Sequence, residues 1–222
     1  MFSQIALIIL ITVVGNITGK KTQNVLMIVS HPDDEILFGA HDLIRSNTTV
    51  ICVTGGDSPV RRQEFESVLH AVNANFLILS FPDGRFKRWS QNSSFLLLLN
   101  AVNELLKTAV FDVIISHGAF GEYGHCQHRQ LHVLSRSLSA HFAIPFNSFC
   151  DRYVPSDMAD PSFIAIRDNL IKLYKSQSDL IKLEKFHLFF TNFDCKHDNM
   201  NFKPGNEFKR CERGHHNKHR YN

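Results

Sequence analysis

Val25-Leu26-Met27-Ile28-Val29-Ser30-His31-Pro32-Asp33-Asp34-Glu35 is the stretch on which the reading of this chain turns. Its first five residues are uninterruptedly apolar and β-branched at several positions, the pattern of a strand buried on both faces of a parallel sheet. Ile36 to Arg45 reads as the helix that follows. The acidic cluster therefore falls at the carboxyl end of a strand, where open α/β sheets collect their ligands. Pro32 keeps the turn extended at His31 and removes a backbone donor there. His31 and Asp34, three apart across that turn, can converge on one cation, and Asp33 between them is left to point elsewhere. One imidazole with one carboxylate suits zinc, and a catalytic zinc needs a third protein ligand and an open position.

A second unit repeats the arrangement. Val110 to Ser116 is another buried-strand run, followed by His117, a glycine-containing loop, and His125-Cys126-Gln127-His128 leading into a helix that carries Leu131, Val133, Leu134 and Leu138. Taken singly, each cluster has a plain reading: acids complementing a helix dipole, and two polar residues at a helix start. Two such clusters, each at the end of a buried strand, argue for a shared metal site with its third ligand in the second cluster. Between them strand and helix alternate. Val50 to Thr54 is a strand ended by Gly55-Gly56-Asp57, and Val60 to Ala74 is a helix with Phe65, Val68, Leu69 and Val72 at helical spacing. Phe76 to Ser80 is a strand before the turn Pro82-Asp83-Gly84, and Ser94 to Thr108 is a helix turning Leu97, Leu98, Ala101, Val102 and Leu105 inward. Beyond His141 the prolines at 145, 155 and 161 loosen the pattern, Phe163 to Lys185 returns to helical periodicity, and Phe186 to Phe193 reads as a last strand. The alternation predicts an α/β fold: a Rossmann-like parallel sheet with helices on both faces.

Composition sets the frame around this. At 222 residues and 44% hydrophobic, the chain can bury one sizeable core. The net charge of +3 is small and comes from late basic residues, so no nucleic-acid partner is expected. Residues 1–19 read as a signal peptide, with Ile5 to Val14 as the apolar segment, residues 20–193 as the domain, and residues 194–222 as a polar, basic tail. Lys20 and Lys21 after the apolar run favour instead an uncleaved anchor, with membrane contact and an endoplasmic-reticulum-anchored domain; the segment's brevity favours cleavage and secretion. Asn47-Thr48-Thr49 and Asn92-Ser93-Ser94 are glycan acceptor triplets, both expected in loops. Cys52 reads as a buried core residue, and Cys126 as a small packing residue in preference to a ligand. Cys195 with Cys211 is the expected disulfide in a secreted chain. The histidines at 197, 215, 216 and 219 read as part of a solvated tail.

His31-Pro32-Asp33-Asp34-Glu35 and Gly124-His125-Cys126-Gln127-His128, each behind a buried strand, resemble the zinc-dependent deacetylases of the LmbE-like family, which includes the N-acetylglucosaminylphosphatidylinositol deacetylases (PIG-L). Thr54-Gly55-Gly56, Arg61-Arg62-Gln63-Glu64, Phe81-Pro82-Asp83-Gly84-Arg85 and Tyr174-Lys175-Ser176-Gln177 fall in the family's order, so the resemblance covers about Asn24 to Asp179. It implies a Zn2+ cofactor held by His31, Asp34 and His128, with Asp33 as general base and His125 as general acid or oxyanion donor. It also implies that Arg61 pins a polar or negative substrate group, and that Asp83 either shapes the sugar site or merely forms its turn. The expected activity is hydrolytic removal of acetyl from an N-acetylglucosamine-type conjugate. A secreted carbohydrate-binding protein of the same fold without turnover is the alternative, against which the presence of Asp33 with His125 and all three ligands weighs. A magnesium phosphotransfer site is disfavoured because imidazole is a poor magnesium ligand.

Overall fold

The computed structural model describes residues 23–84, 88–149 and 160–181. The apolar run at Asn24–Val29 forms β1, and the chain then makes two short helices, α1 (Asp34–Leu37) and α2 (Ala40–Arg45). There follow β2 (Asn47–Thr54), α3 (Pro59–Ala71), β3 (Asn75–Phe81), α4 (Gln91–Leu106), β4 (Val113–Ser116), α5 (Gly121–Gly124), α6 (Cys126–Phe142) and β5 (Phe146–Ser148). After these come α7 (Pro161–Ile171), a 3-10 turn at Lys175–Gln177, and α8 (Ser178–Ile181).

The five strands form one parallel sheet in the order β3-β2-β1-β4-β5. The chain winds outward from β1 through β2 and β3, then crosses to the other side of β1 for β4 and β5. That reversal opens a crevice at the carboxyl ends of β1 and β4, the place where doubly wound sheets bind ligands. The register Val25↔Val113 to Ile28↔Ser116 brings the loop after each strand alongside the other.

Alternation along β1 divides its side chains between two cores. Val25, Met27 and Val29 pack with Leu43, Phe65, Leu69, Phe163, Leu170 and Tyr174 on one face. Leu26 and Ile28 pack with Leu98, Val102, Leu131, Leu134 and Leu138 on the other. Each fully buried side chain of this kind contributes roughly 1.5–3 kcal/mol through apolar transfer. Helices therefore cover both faces, as the strand composition requires.

Several expected elements differ in detail. The single helix over Ile36 to Arg45 is two, because the chain breaks at Phe38-Gly39 where it presses on β1: a Cβ on Gly39 would lie 2.6 Å from Met27 Cε. The strand expected from Val110 begins only at Val113, and Val110 is 77% exposed. Leu97, expected inward on α4, is 55% exposed, and Val133 on α6 is also exposed. β5 was not expected; it follows Pro145 and pairs with β4 through Ile114↔Phe146. The helix expected over Phe163 to Lys185 ends at Ile171 and gives way to the 3-10 turn. Neither acceptor triplet lies in a loop: Asn47 opens β2 and Asn92 sits in the first turn of α4. The expected leader, the strand at Phe186 to Phe193, the tail with its histidines, and Cys195 with Cys211 lie outside the described residues. Among the described residues no helix is long and apolar enough to cross a membrane.

At the mouth of the crevice Gly55 holds φ +82, and a Cβ there would meet Pro32 Cγ at 2.6 Å. Gly55→Ala should therefore cost about 1–2 kcal/mol from the left-handed backbone alone. The expected drop in Tm is roughly 2–8 °C. An unchanged melting curve by calorimetry would show that the loop relaxes without strain.

Candidate metal and catalytic site

β1 ends at Val29, and Ser30 turns the chain so that His31 enters the crevice. β4 ends at Ser116, with His117 directly behind it and the start of α6 carrying His125 and His128 above. The two loops are tied together at the strand ends, where Ser30 N–H donates to His117 Nε2 at 3.0 Å and Ser116 O–H donates to the Ile28 carbonyl at 2.7 Å. His31, Asp34 and His128 are all buried.

Hydrogen bonds on the outer side of each imidazole fix which nitrogen faces inward. His31 Nε2 meets Gln127 Oε1 at 2.9 Å, and His128 Nδ1 meets Glu122 Oε2 at 2.6 Å; both partners are acceptors, so each ring places its N–H there. The lone pairs of His31 Nδ1 and His128 Nε2 then face each other at 3.1 Å. Asp34 Oδ2 completes a triangle, 3.3 Å from His31 Nδ1 and 3.4 Å from His128 Nε2. A tetrahedral metal with ligands at about 2.0–2.1 Å sets neighbouring donor atoms roughly 3.3–3.4 Å apart. The three inward donors therefore match one face of such a tetrahedron.

The electrostatics ask for positive charge at the same place. Burial depresses His31, but the carboxylates of Asp34 and Asp83 outweigh it and carry the ring up to about 10. For Asp34 burial acts upward, yet the facing His128 and His117 hold its carboxyl well below the usual range. A metal ion satisfies both groups without a proton. Two other donor groups, His31 with His125 and His128, and Asp34 with His117 and His128, also lie within 4.8 Å of one another. His117 does not fit a ligand's part, because its Nε2 already accepts from Ser30 N–H while its Nδ1 meets Glu122 Oε2 at 2.9 Å. Burial lowers His117, and Glu122 and Asp34 push it back up to about 9. The Ser30 N–H aimed at Nε2 leaves no place for a second ring proton, so the geometry decides for the neutral ring.

Asp33 and Asp34 point in different directions, as their neighbours require. Asp33 adopts φ 115, a conformation that non-glycine residues rarely take. Its carboxylate meets Arg61, whose Nη2 lies 3.3 Å from Asp33 Oδ2 and also donates to the Pro32 carbonyl. Burial pushes the Asp33 carboxyl up to about 7, with the Arg61 guanidinium opposing it. His125 stacks near the triangle, its ring centroid 4.8 Å from that of His31 and 4.6 Å from that of His128. Burial, with His128 and His31 beside it, lowers it to about 3, so its ring is neutral. Asp83, more than half exposed, reaches the rim with Oδ1 at 3.3 Å from His31 Nε2. All seven residues expected at the site thus lie around one crevice, although Arg61 is engaged with the Pro32-Asp33 turn.

Three neighbours had no assigned part in the sequence reading. Gln127 bridges His31 to the Pro82 carbonyl, donating to the latter at 2.8 Å. Glu122 accepts from His117 and His128 at one oxygen and from Gly118 N–H at the other, at 2.8 Å. Burial acts to raise Glu122, but His117 and His128 hydrogen-bonded to it bring it down to about 2. The signal for His117 was its place directly behind a buried strand, the same place His31 occupies one residue later; Gln127 had only its place in a stretch that resembles the family's, and Glu122 carried none. Cys126 needs a correction: it is disulfide-bonded, so it is not a plain packing thiol and its sulfur is not a ligand. Cys52 is a free, buried thiol, as expected.

Comparison with known proteins bears on the family and the fold. An uncharacterized protein of Acanthamoeba polyphaga mimivirus is 29% identical over 185 residues, covering 76% of this chain and 77% of that protein. The crystal structure of the antimicrobial reagent A40926 pseudoaglycone deacetylase Dbv21 shares the fold, with a TM-score of 0.55 at 13% identity over 81% of this chain and 92% of that one. The family model for GlcNAc-PI de-N-acetylase matches residues 26–139, which hold both histidine-bearing loops, and the chain belongs to this PIG-L family.

Proposed function

We propose that this chain is a zinc-dependent hydrolase that removes the N-acetyl group from an N-acetylglucosamine-type conjugate. The observation that carries the reading is the triangle of inward donors on His31, Asp34 and His128, with the adjacent Asp33 carboxylate engaged by Arg61. Two imidazoles and one carboxylate suit zinc and leave a fourth position open. Zinc held there supplies Lewis-acid chemistry, polarising the amide carbonyl and acidifying water. Asp33 takes the proton of the attacking water at its carboxylate and returns it to the departing amine nitrogen. His125 donates its ring N–H to the carbonyl oxygen as negative charge develops on it. Arg61 fixes the Pro32-Asp33 turn, and Asp83 on the rim offers a carboxylate to sugar hydroxyls.

Family membership supports the amino-sugar amide as substrate, including a glycolipid such as N-acetylglucosaminylphosphatidylinositol, which would bring the protein into contact with a membrane. The disulfide at Cys126 supports an oxidising compartment, since such bonds persist in secreted and lumenal proteins. We therefore assign the chain to the secretory lumen or the exterior, with Lys20 or a neighbour as the mature amino terminus.

The direct test is metal analysis of the purified protein, followed by acetate release on a panel of N-acetylglucosamine conjugates. Close to one zinc per chain with release from at least one conjugate is expected. Zinc with no release but measurable sugar binding would favour the carbohydrate-binding alternative. Asp33→Asn should keep its zinc and lower kcat by about 10²- to 10⁴-fold, the usual worth of a general base; loss of the metal instead would make Asp33 a ligand.

The two histidines of the second loop should separate. His128→Ala should lose most of its zinc, whereas His125→Ala should keep it while kcat falls by about 10²- to 10³-fold, as for loss of an oxyanion donor. Equal metal loss in both would place His125 among the ligands and close the open position. Expression in a secretory host should yield protein that begins near Lys20 and shifts in mass on treatment with an N-glycosidase. Retention of Met1 with no shift would point to an anchored domain facing the cytosol.

A further inference from the structure

Asp33 at φ 115 stays in place only because its surroundings over-determine it. One restraint is local: its N–H donates to Glu35 Oε2 at 3.0 Å. A glutamate two residues along the same turn could swing away and release that N–H. It is prevented from doing so by a residue 139 positions later, since the Tyr174 hydroxyl donates to the other oxygen, Glu35 Oε1, at 2.5 Å. Glu35 is 0% and Tyr174 1% exposed, so no water competes for these bonds.

The same short segment reaches the opposite side of Asp33. Ser176 donates through its N–H to Glu64 Oε1 at 2.8 Å and through its hydroxyl to Glu64 Oε2 at 2.6 Å. Glu64 lies on α3 one turn beyond Arg61, and the Arg61 guanidinium contacts both Asp33 Oδ2 and the Pro32 carbonyl. Tyr174 and Ser176 thus grip the two elements that hold Asp33, its own turn and the arginine helix. Among the described residues neither makes a hydrogen bond to His31, Asp34 or His128.

We propose that Tyr174, acting through Glu35, is a positioning residue for the Asp33 carboxylate, and that Ser176 supports it through Glu64 and the helix carrying Arg61. The inference rests on the reading of Asp33 as general base. Tyr174 also packs in the core beneath α1, so a purely structural part is the competing account. Tyr174→Phe separates the two because it keeps the ring and removes only the hydroxyl.

The experiment is a double-mutant cycle of Tyr174→Phe with Asp33→Asn, read as zinc content, kcat and KM on the conjugate that the panel turns over fastest. Tyr174→Phe alone should keep zinc and KM and lose on the order of 10- to 100-fold in kcat, the cost of a misplaced reacting group. In the Asp33→Asn background it should cost less than about 2-fold, because residues acting as one unit are not additive. Equal losses in both backgrounds, or wild-type kcat for Tyr174→Phe, would overturn the positioning role and leave Asp33 as base untouched. Wild-type kcat for Asp33→Asn alone would overturn the base reading and the positioning role with it. Ser176→Ala, at an exposed position, repeats the cycle without touching the core: about a 2- to 10-fold loss of kcat is expected, the worth of one hydrogen bond, and it should vanish with Asp33→Asn. No loss, or a loss that persists there, would overturn the Ser176 arm and, should Tyr174→Phe fail to fold, the proposal as a whole.

Discussion

The pairing of β1 with β4 is the contact on which everything else at the site depends. These strands are separated by more than eighty residues of chain, yet they lie side by side at the centre of the sheet, with Ile28 opposite Ser116. Their parallel alignment sends both following loops out of the same edge. His31 and His128, 97 positions apart, meet at 3.1 Å as a result. Antiparallel pairing would place the two loops at opposite ends of the sheet. Parallel strands need long crossovers, and here the crossovers are the helices that bury both faces.

A buried set of facing lone pairs is unfavourable by itself, so the fold must hold it in place. It does so from outside: Gln127 fixes His31 and Glu122 fixes His128, each by taking the outward N–H. Metal-binding histidines are commonly oriented this way, and the outer partners set both tautomer and basicity. Glu122 itself is satisfied by three donors, which explains why a carboxylate this deeply buried stays ionised. Gln127 additionally ties the centre to the Pro82 carbonyl, so the turn after β3 is in mechanical contact with His31. The Asp83 side chain on that turn is thereby held at the rim, 3.3 Å from His31 Nε2.

The two adjacent aspartates show how backbone conformation gives neighbouring carboxylates different partners. Asp34 begins α1 with ordinary helical geometry and points into the donor triangle. Asp33, one residue earlier, takes a positive φ, and its carboxylate meets Arg61 instead. Strain of this kind, on the order of 1–3 kcal/mol, survives where neighbouring contacts supply more than it costs. Here those contacts come from Arg61 on α3, Glu35 on α1, and, through Glu35, Tyr174 from the far end of the domain.

Local sequence by itself determined the alternation of strand and helix, because β1, β2 and β4 are buried on both faces and read as continuous apolar runs. It also determined which histidines and aspartates could act, since His31, Asp34 and His128 each fall just beyond such a strand or at the helix start behind it. What local pattern could not determine were interactions whose cause is distant. The break at Phe38-Gly39 comes from Met27 on the neighbouring strand, and β5 is too short to carry its own signal and exists because β4 offers it an edge. The exposure of Leu97 follows from which side of α4 met the sheet. Glu122 carries no signal in the sequence, and Gln127 and Tyr174, though they stand in stretches that resemble the family's, acquire their parts only when folding brings a ring nitrogen or a carboxylate within hydrogen-bond reach. Donor chemistry is a property of residue types near a strand end and is legible in one dimension, whereas the orientation of those donors depends on partners such as Gln127, 96 positions from His31, which only the packed sheet and helices bring together.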